Sequence, residues 1–278
     1  MALLKSSCPD LELITCGKVR DLYRIDDNTL LFVATDRISA FDVIMKNGVP
    51  GKGKLLTQMS VFWFNYLKDI LPNHIITTEF DQMPEKVQKY RDQLEYRCLL
   101  VKKLKVFSVE AIVRSAWSEY KKKGTVCDIT LPEGLKESQS FEKALYTPST
   151  KAEIGQHDEN IHPSKVPEII GDKYADQISE ISVKLYTKAK EYALSKGIII
   201  ADTKFEFGRD DTGILYLVDE VLTPDSSSFD KQYLRNYLLS IDFDKKTSIE
   251  LPNDIITKTM ERYIETYKMI TDSDPTFL

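Results

Sequence analysis

The stretch that most constrains the fold runs from Gly197 to Gly208, with the sequence GIIIADTKFEFG. After an apolar run, charged and apolar side chains alternate, the charged ones being Asp202, Lys204 and Glu206 and the others Thr203, Phe205 and Phe207. This period of two is typical of a half-buried β-strand. Charges on one face of a strand that follows an apolar run are costly to bury unless they pair or hold a ligand. The stretch therefore predicts a strand that carries a charged site.

A second predicted strand, residues 214–218 (ILYLV), follows within hairpin distance. Antiparallel pairing of the two strands would bring Asp219 close to Lys204 and Glu206. A lysine among carboxylates suits a phosphate chain bridged by magnesium, because carboxylates bind this hard cation and lysine meets phosphate as a point charge. The alternative is a salt-bridged surface hairpin without a ligand.

Composition limits the classes of protein that fit. The 278 residues are 42% hydrophobic and 29% charged, which is ordinary for one large globular domain or two smaller ones. A net charge of −5 argues against nucleic acid as the main partner. The four cysteines form no Cys-x-x-Cys pair and are expected to be reduced thiols of a cytoplasmic protein. We expect neither a secretory signal nor a membrane-spanning segment.

Near the N-terminus, one glycine separates two predicted strands and is followed by basic residues, in the order Gly17-Lys18-Val19-Arg20. Such a turn could curl over phosphates and offer backbone N–H groups and two cations. It matches neither a Walker loop nor a dinucleotide fingerprint, and tight hairpins that contain Gly-Lys are common. A phosphate loop and an ordinary hairpin both remain open at this point.

The loop 35–42 combines acids, an arginine and a serine where a predicted strand ends. Loops at strand ends are where binding sites are often built, so Asp36, Arg37 and Ser39 are candidate site residues. The alternative is a capped turn held by an internal Asp–Arg pair.

Three later segments also carry candidate site residues. Arg114 follows an apolar strand, where it could clamp a phosphate or carboxylate or pair with Glu119. Lys102 and Lys103 lie where the chain is predicted to cross between two lobes. The segment 125–167 lacks a regular pattern, and irregular stretches of this length are usually functional or disordered.

Helices are predicted mainly in the second half of the chain. One helix is expected over about 174–196, stopped by Gly197, and two amphipathic helices near 230–240 and 252–270. Another amphipathic helix is expected around residues 55–67.

Several of these segments together resemble the SAICAR synthetase family. The segments occur in the family's order, and they are IIADTKFEFG (199–208), GKVRDLY (17–23), TDRISAFD (35–42), VEAIVR (109–114), TPSTK (147–151), HDE (157–159) and VDEVLTPDSS (218–227). Each motif alone is modest, but their combination in this order is highly specific. The sequence is most similar in style to fungal members.

The resemblance implies an α+β fold with a small β-rich, kinase-like N-terminal lobe, a larger ATP-grasp-like lobe and ATP in a cleft between them. The lobes would be residues 1–104 and 105–278. The reaction implied joins L-aspartate to the carboxylate of carboxyaminoimidazole ribonucleotide (CAIR), converting ATP to ADP and phosphate in purine biosynthesis. The implied partners are these small molecules and magnesium, without nucleic acid or membrane, and a fungal-like member would be a monomer in the cytoplasm.

Individual roles follow from the resemblance, position by position. The residues that resemble ATP contacts are Gly17, Lys18, Val19, Arg20, Lys102, Lys103 and Lys204. The residues that resemble magnesium ligands are Glu206 and Asp219, and those implied in catalysis are Lys204 and Asp202. The residues implied in substrate binding are Asp36, Arg37, Ser39, Arg114, Ser115, Lys151, His157, Asp202 and Asp225, with Arg114 at the nucleotide's 5′-phosphate.

Two junctions depart from the family pattern. Arg114 meets Ser115 directly where the family has several intervening residues, and Ser227 continues into Ser228 where the family has an Arg that would bind phosphate. The junctions reflect either deletions in a trimmed, inactive or altered member, or mobile loops that the printed sequence leaves out. We favour the second interpretation, since both positions suit a loop that orders on a ligand.

Overall fold

The structure is a computed structural model that describes residues 1–116, 125–127, 129–130, 140–151, 159–224 and 228–278. Its strands are β1 (Glu12–Cys16), β2 (Arg20–Arg24), β3 (Thr29–Ala34), β4 (Ser39–Ala40), β5 (Val43–Ile44), β6 (Ile75–Thr77), β7 (Cys98–Lys102), β8 (Lys105–Val106), β9 (Val109–Ala116), β10 (Thr125–Val126), β11 (Ile129–Thr130), β12 (Ser140–Tyr146), β13 (Ser149–Thr150), β14 (Asp202–Arg209) and β15 (Leu215–Val218). Its α-helices are α1 (Lys52–Leu67), α2 (Glu85–Gln88), α3 (Arg91–Leu94), α4 (Val166–Ile170), α5 (Asp172–Ser195), α6 (Ser228–Ser240) and α7 (Asn253–Thr271). No helix within these ranges is both long and apolar enough to cross a membrane.

Contacts divide the chain into two compact units. The first comprises Met1–Phe62, His74–Lys103 and Thr223–Leu278, and the second comprises Trp63–Asn73 and Leu104–Leu222. The C-terminal residues, which the sequence-based division assigned to the second lobe, thus group with the first unit. The division into lobes 1–104 and 105–278 stays a prediction, whereas the α+β class is confirmed by mixed helices and sheets.

The first unit is built on a five-stranded antiparallel sheet in the order β1-β2-β3-β7-β6. Alternate residues of β3 point into the core, since Leu31 and Val33 are fully buried while their neighbours are half-buried. They pack with Tyr23 of β2, with Leu100 of β7 and with residues of α2 and α3. The strands predicted on both sides of the N-terminal glycine turn are therefore confirmed.

A separate apolar cluster holds the C-terminal helices in the first unit. Ile38, Met45 and Val49, which lie in and around the β4–β5 hairpin, pack against Leu234 of α6 and Ile255 of α7. Both helices lie within two residues of their predicted positions.

The second unit contains a sheet in the order β12-β9-β14-β15, with β13 on β9 and β8 on β14. The β14–β15 hairpin is antiparallel, as predicted, and pairs Glu206 with Val218. In the pairing of β14 with β9, Asp202 lies opposite Arg114 and Thr203 lies opposite Val113. Because paired residues share a face, this register places the charges of both strands on one side of the sheet.

The other side of this sheet is apolar and is covered by α5. Thr203, Phe205 and Phe207 are all at least 98% buried, which confirms the alternation predicted from the sequence. The buried stripe of α5 includes Ile178, Leu185, Tyr186 and Ala189. The helix ends at Ser195, and Gly197, which follows the C-cap residue Lys196, has a positive φ of 78° that glycine adopts without strain.

The fully buried carboxylate of Asp36, two residues after β3, anchors the start of α1. A side chain is excluded at Gly53, since a Cβ there would lie 2.3 Å from the Ala34 carbonyl oxygen. The Gly53 N–H donates instead to Asp36 Oδ1 at 2.9 Å. Asp36 also accepts from the Leu3 N–H at 2.8 Å and forms an ion pair with the buried Arg97 at 2.9 Å. The carboxylate is therefore fully engaged in holding the fold.

We predict that Asp36→Ala lowers the free energy of unfolding by about 3–5 kcal/mol, because it leaves Arg97 buried without its counter-charge. Urea unfolding followed by circular dichroism measures this. Asp10→Ala is the control, since it removes an ion pair with Lys89 whose two side chains are largely exposed. A small change for Asp36→Ala, equal to that of the control, would contradict the anchoring role.

Candidate active site

Two lysines and two glutamates form a connected cluster on the polar side of the second unit's sheet. Lys204 Nζ lies 2.6 Å from Glu110 Oε1 on β9 and 3.1 Å from Glu206 Oε1 on its own strand. Glu206 Oε2 accepts a further hydrogen bond from Lys151, which follows β13. Each carboxylate is more than 90% buried, while the Lys204 side chain is 38% exposed. The cluster is thus open to a ligand on the lysine side only.

The charges in the cluster keep Lys204 protonated. Partial burial by itself would lower the pKa of Lys204, but the negative charges of Glu206, Glu110 and Asp219 outweigh it and raise the pKa above its ordinary value. Asp219 directly follows β15, and the β14–β15 hairpin brings its charge near Lys204, as predicted from the sequence. A fixed cation next to carboxylates on one face is the arrangement that suits a phosphate and its metal.

Arg114 lies on the same face of the sheet, at the far end of β9. Its Nη1 donates to Thr147 Oγ1 at 2.6 Å, and its backbone lies opposite Asp202 in the register. The suggested alternative partner, Glu119, lies outside the described residues. The positions of Arg114 and Asp202 are consistent with a shared ligand, and their substrate roles stay predictions.

Ser115 points away from this face, which argues against its predicted contact with the nucleotide. Its side chain is 2% exposed, and its hydroxyl accepts a hydrogen bond of 2.5 Å from Tyr186 of α5. The Ser115 N–H also donates to the Ala201 carbonyl at 2.9 Å. Because consecutive strand residues face opposite sides, Arg114 and Ser115 cannot serve one ligand here.

A divalent cation could be held by Glu206 and Asp219. Within the described residues there is no group of three or more metal-ligating side chains. That donor set nevertheless fits magnesium, which is usually bound by one or two carboxylates together with substrate phosphates and water. The residues therefore suit a cation that arrives with a nucleotide.

Hydrogen bonds from neighbouring residues hold the backbone of the glycine turn (Gly17–Arg20) in the first unit. Gly17 N–H donates to the Arg20 carbonyl at 2.7 Å, which closes the β1–β2 hairpin. The carbonyl oxygens of Gly17 and Lys18 accept from Arg37 at 2.9 and 3.1 Å, and that of Val19 accepts from Thr35. Lys18 also forms an exposed ion pair with Asp42 at 2.7 Å.

Asp36 and Arg37, predicted from the sequence to bind substrate carboxylates, have structural roles instead. Asp36 is fully buried and pairs with Arg97, and Arg37 is 8% exposed and pairs with Asp21 at 2.8 Å. Their polar atoms are therefore already used within the first unit. The alternative given above, a turn held by Asp–Arg pairing, describes the loop 35–42 better. The pairs are not internal to the loop, however, because Asp36 pairs with Arg97 and Arg37 pairs with Asp21.

The remaining predicted positions divide into described and undescribed residues. Ser39 is half-buried and lies opposite Ile44 in the β4–β5 hairpin. Lys102 and Lys103 are exposed at the end of β7. His157 and Asp225 lie outside the described residues.

Two residues on this face were not predicted as site residues: Glu110, which belongs to the cluster, and Thr147, which contacts Arg114. Glu110 lies four positions before Arg114 on one strand, so the period of two already places both on one face. Thr147 gives no comparable signal, because its contact with Arg114 depends on the pairing of β12 with β9.

The chain matches known proteins over nearly its full length. The family model described as SAICAR synthetase matches residues 13–251. The phosphoribosylaminoimidazole-succinocarboxamide synthase of Schizosaccharomyces pombe is 51% identical, covering 98% of both chains. That of Saccharomyces cerevisiae is 50% identical, covering 95% of both. The alignment with the S. pombe protein spans 296 positions, more than the 278 residues of this chain, so that relative has residues without a counterpart here.

Solved structures agree with these relatives. A SAICAR synthase from S. cerevisiae complexed with SAICAR is 46% identical, with a TM-score of 0.90 and 99% of each chain covered. A SAICAR synthetase in complex with ADP is 27% identical, with a TM-score of 0.71, covering 95% of this chain and 99% of that one. Members of this family catalyse the ATP-dependent ligation of aspartate to CAIR in purine biosynthesis. By its sequence and its fold, this chain belongs to the SAICAR synthetase family.

Proposed function

We propose that this chain joins L-aspartate to the carboxylate of CAIR, with conversion of ATP to ADP and phosphate. The observation that carries the proposal is the cluster in which Lys204 lies between Glu110 and Glu206, within the region 13–251 that the family model matches. A lysine that is held by two carboxylates and exposed on one side can stabilise the negative charge of a phosphoryl group during its transfer.

The chemistry explains why such a site needs charge neutralisation and placement. A carboxylate is a poor acylating agent, so we propose that a CAIR carboxylate oxygen first attacks the γ-phosphorus of ATP and ADP leaves. The aspartate amine then attacks the carbonyl carbon of the acyl phosphate. The C–O bond to phosphate breaks, inorganic phosphate leaves, and the amine loses its proton as the amide forms. Both steps depend on alignment and on stabilisation of phosphate charge.

The second unit supplies the proposed phosphate and metal contacts. Lys204 would bind the transferring phosphoryl group, and Glu206 and Asp219 would bind magnesium. When bound there, magnesium would supply positive charge that offsets the negative charge of the phosphates. Support for this assignment comes from the buried carboxylates and from the raised pKa of Lys204, which keeps its charge at neutral pH.

The substrate contacts are proposed from their position on the same face. Arg114 would bind the 5′-phosphate of the imidazole nucleotide, and Asp202 would contact the same ligand. Lys151 remains a candidate for a substrate carboxylate, although here it pairs with Glu206. We also propose Ser39, His157 and Asp225 as substrate contacts, on the family resemblance alone.

The first unit supplies the proposed nucleotide contacts. The turn Gly17–Arg20 would cover the ATP phosphates with its backbone N–H groups, and Lys102 and Lys103 would lie near the adenine. A related SAICAR synthetase has been solved in complex with ADP, which supports a nucleotide as the ligand. We also propose a cytoplasmic monomer, as fungal-like members of the family would be.

Formation of SAICAR tests the proposed function directly. ATP, magnesium, CAIR and L-aspartate are supplied together, and each is omitted in turn while ADP and SAICAR are measured. We expect both products only in the complete mixture. Release of ADP that does not require aspartate would indicate a kinase acting on a hydroxyl, and absence of any turnover would favour a non-catalytic binding protein.

We predict that Lys204→Met lowers kcat by about 10²–10³-fold or more, because a charge that stabilises the transferring phosphoryl group is lost. Steady-state kinetics with saturating substrates measures this. Stability should also fall, since Glu110 and Glu206 lose a shared counter-ion.

A double variant separates the two effects of Lys204. Lys204→Met combined with Glu110→Gln removes one of the uncompensated charges, so it should regain stability without regaining turnover. Near-normal turnover in the single variant would refute the assignment of Lys204.

We predict that Lys151→Met strengthens binding of a divalent cation, because Lys151 competes with the cation for Glu206 Oε2. The expected gain is up to about fivefold, the scale of a partly exposed ion pair. Electron paramagnetic resonance of Mn²⁺ titrated into the enzyme–ADP complex measures it without turnover. Unchanged Mn²⁺ binding with a raised KM for aspartate or CAIR would assign Lys151 to a substrate carboxylate instead.

A further inference from the structure

The peptide groups of the glycine turn all face the same way. The carbonyl oxygens of Gly17, Lys18 and Val19 point inward, where they accept hydrogen bonds from Arg37 and Thr35. In a trans peptide the C=O and the following N–H point in opposite directions. Inward carbonyls of Gly17 and Lys18 therefore direct the N–H groups of Lys18 and Val19 outward.

These two outward N–H groups have no acceptor in the described part of the chain. The hydrogen bonds of Lys18 and Val19 are limited to their carbonyls and to the Lys18 side chain. Consecutive N–H groups that point to the same side form a concave site for an anion. The direction of these N–H groups therefore depends on the side chains that donate hydrogen bonds to the Gly17 and Lys18 carbonyls.

Arg37 holds two of the three carbonyls. Its guanidinium donates from Nε to the Lys18 carbonyl at 3.1 Å and from Nη2 to the Gly17 carbonyl at 2.9 Å. Nη1 donates to the Leu4 carbonyl at 2.6 Å, so all three nitrogens are engaged. Only a planar fork with several donors satisfies acceptors in these separate directions.

Asp21 fixes the guanidinium in turn. It is 1% exposed, accepts from Arg37 Nη2 at 2.8 Å, and also accepts from the Ser6 N–H and hydroxyl at 2.9 and 2.6 Å. Burial raises the pKa of Asp21, but the hydrogen bonds from Arg37 and Ser6 outweigh burial and hold the pKa below its usual range. The carboxylate is thus ionised at neutral pH, and the pair stays intact.

We propose that Arg37, held by Asp21, is a positioning residue that aims the Lys18 and Val19 N–H groups at the phosphates of the nucleotide. This inference rests on the proposed use of the turn as a phosphate loop. It replaces the sequence-based interpretation in which Arg37 contacts a substrate carboxylate. Arg37 itself touches no ligand and acts through the backbone.

Arg37→Lys tests the proposal, because lysine keeps the charge but cannot hold both carbonyls. We expect the Kd for MgADP, measured by calorimetry, and the KM for ATP to rise by about tenfold or more, roughly the loss of one charge-assisted hydrogen bond. The KM values for aspartate and CAIR should stay within about twofold. A rise in the KM for aspartate or CAIR alone would overturn the proposal.

Arg97→Lys is the matched control. Arg97 is equally buried and ion-paired, with Asp36, but contacts none of the turn carbonyls. Both variants should lose stability, and only Arg37→Lys should lose affinity for MgADP. Equal losses of affinity in the two variants would mean that Arg37 acts through general stability, which overturns the positioning role.

A measurement on the unaltered protein covers the case in which Arg37→Lys does not fold. Amide resonances of Lys18 and Val19 are followed by NMR as MgADP is added, and both should shift strongly downfield. Binding of MgADP without such shifts would overturn the positioning role and leave the proposed reaction standing. Failure to bind MgADP or to use ATP at all would instead refute the proposed function.

Discussion

The ion pairs of Lys204 with Glu110 and Glu206 are the interaction on which the proposed chemistry depends. Glu110 and Glu206 are both more than 90% buried, and their negative charges are compensated there by the lysine that pairs with both. The carboxylates in turn raise the pKa of Lys204 above its ordinary value and keep the lysine protonated. The result is a fixed set of charges on a rigid sheet, which needs little reorganisation when a phosphate and its metal bind.

The period of two along β14 explains why much of this site could be predicted. Once Thr203, Phe205 and Phe207 are assigned to the core, Asp202, Lys204 and Glu206 must face the other way. The turn between 210 and 213 then returns the chain and brings Asp219 near Lys204. Local pattern was sufficient for these residues because strand geometry fixes side-chain direction.

Contacts between distant segments could not be predicted in the same way. Strand β12 lies in a stretch that the sequence suggested was irregular, and its register on β9 shifts between Ser140 and Leu145. Such an irregularity breaks the alternation by which a strand is recognised. The Thr147–Arg114 contact depends on this strand, so it was missed along with it.

The misassignment of Asp36 and Arg37 has a physical cause that extends beyond this chain. A motif rich in charges at a strand end resembles a binding site, but the same charges are needed wherever backbone groups must be buried without a regular ladder. Here Asp36 satisfies the N–H groups of Leu3 and Gly53, and Arg37 satisfies the carbonyls of Gly17 and Lys18. Sequence alone does not show whether a charged side chain faces a ligand or a peptide group. In the N-terminal turn a charged side chain can do both indirectly. Arg37 binds the carbonyls of Gly17 and Lys18, and the same peptide groups carry the N–H groups of Lys18 and Val19 that would face the proposed phosphate ligand.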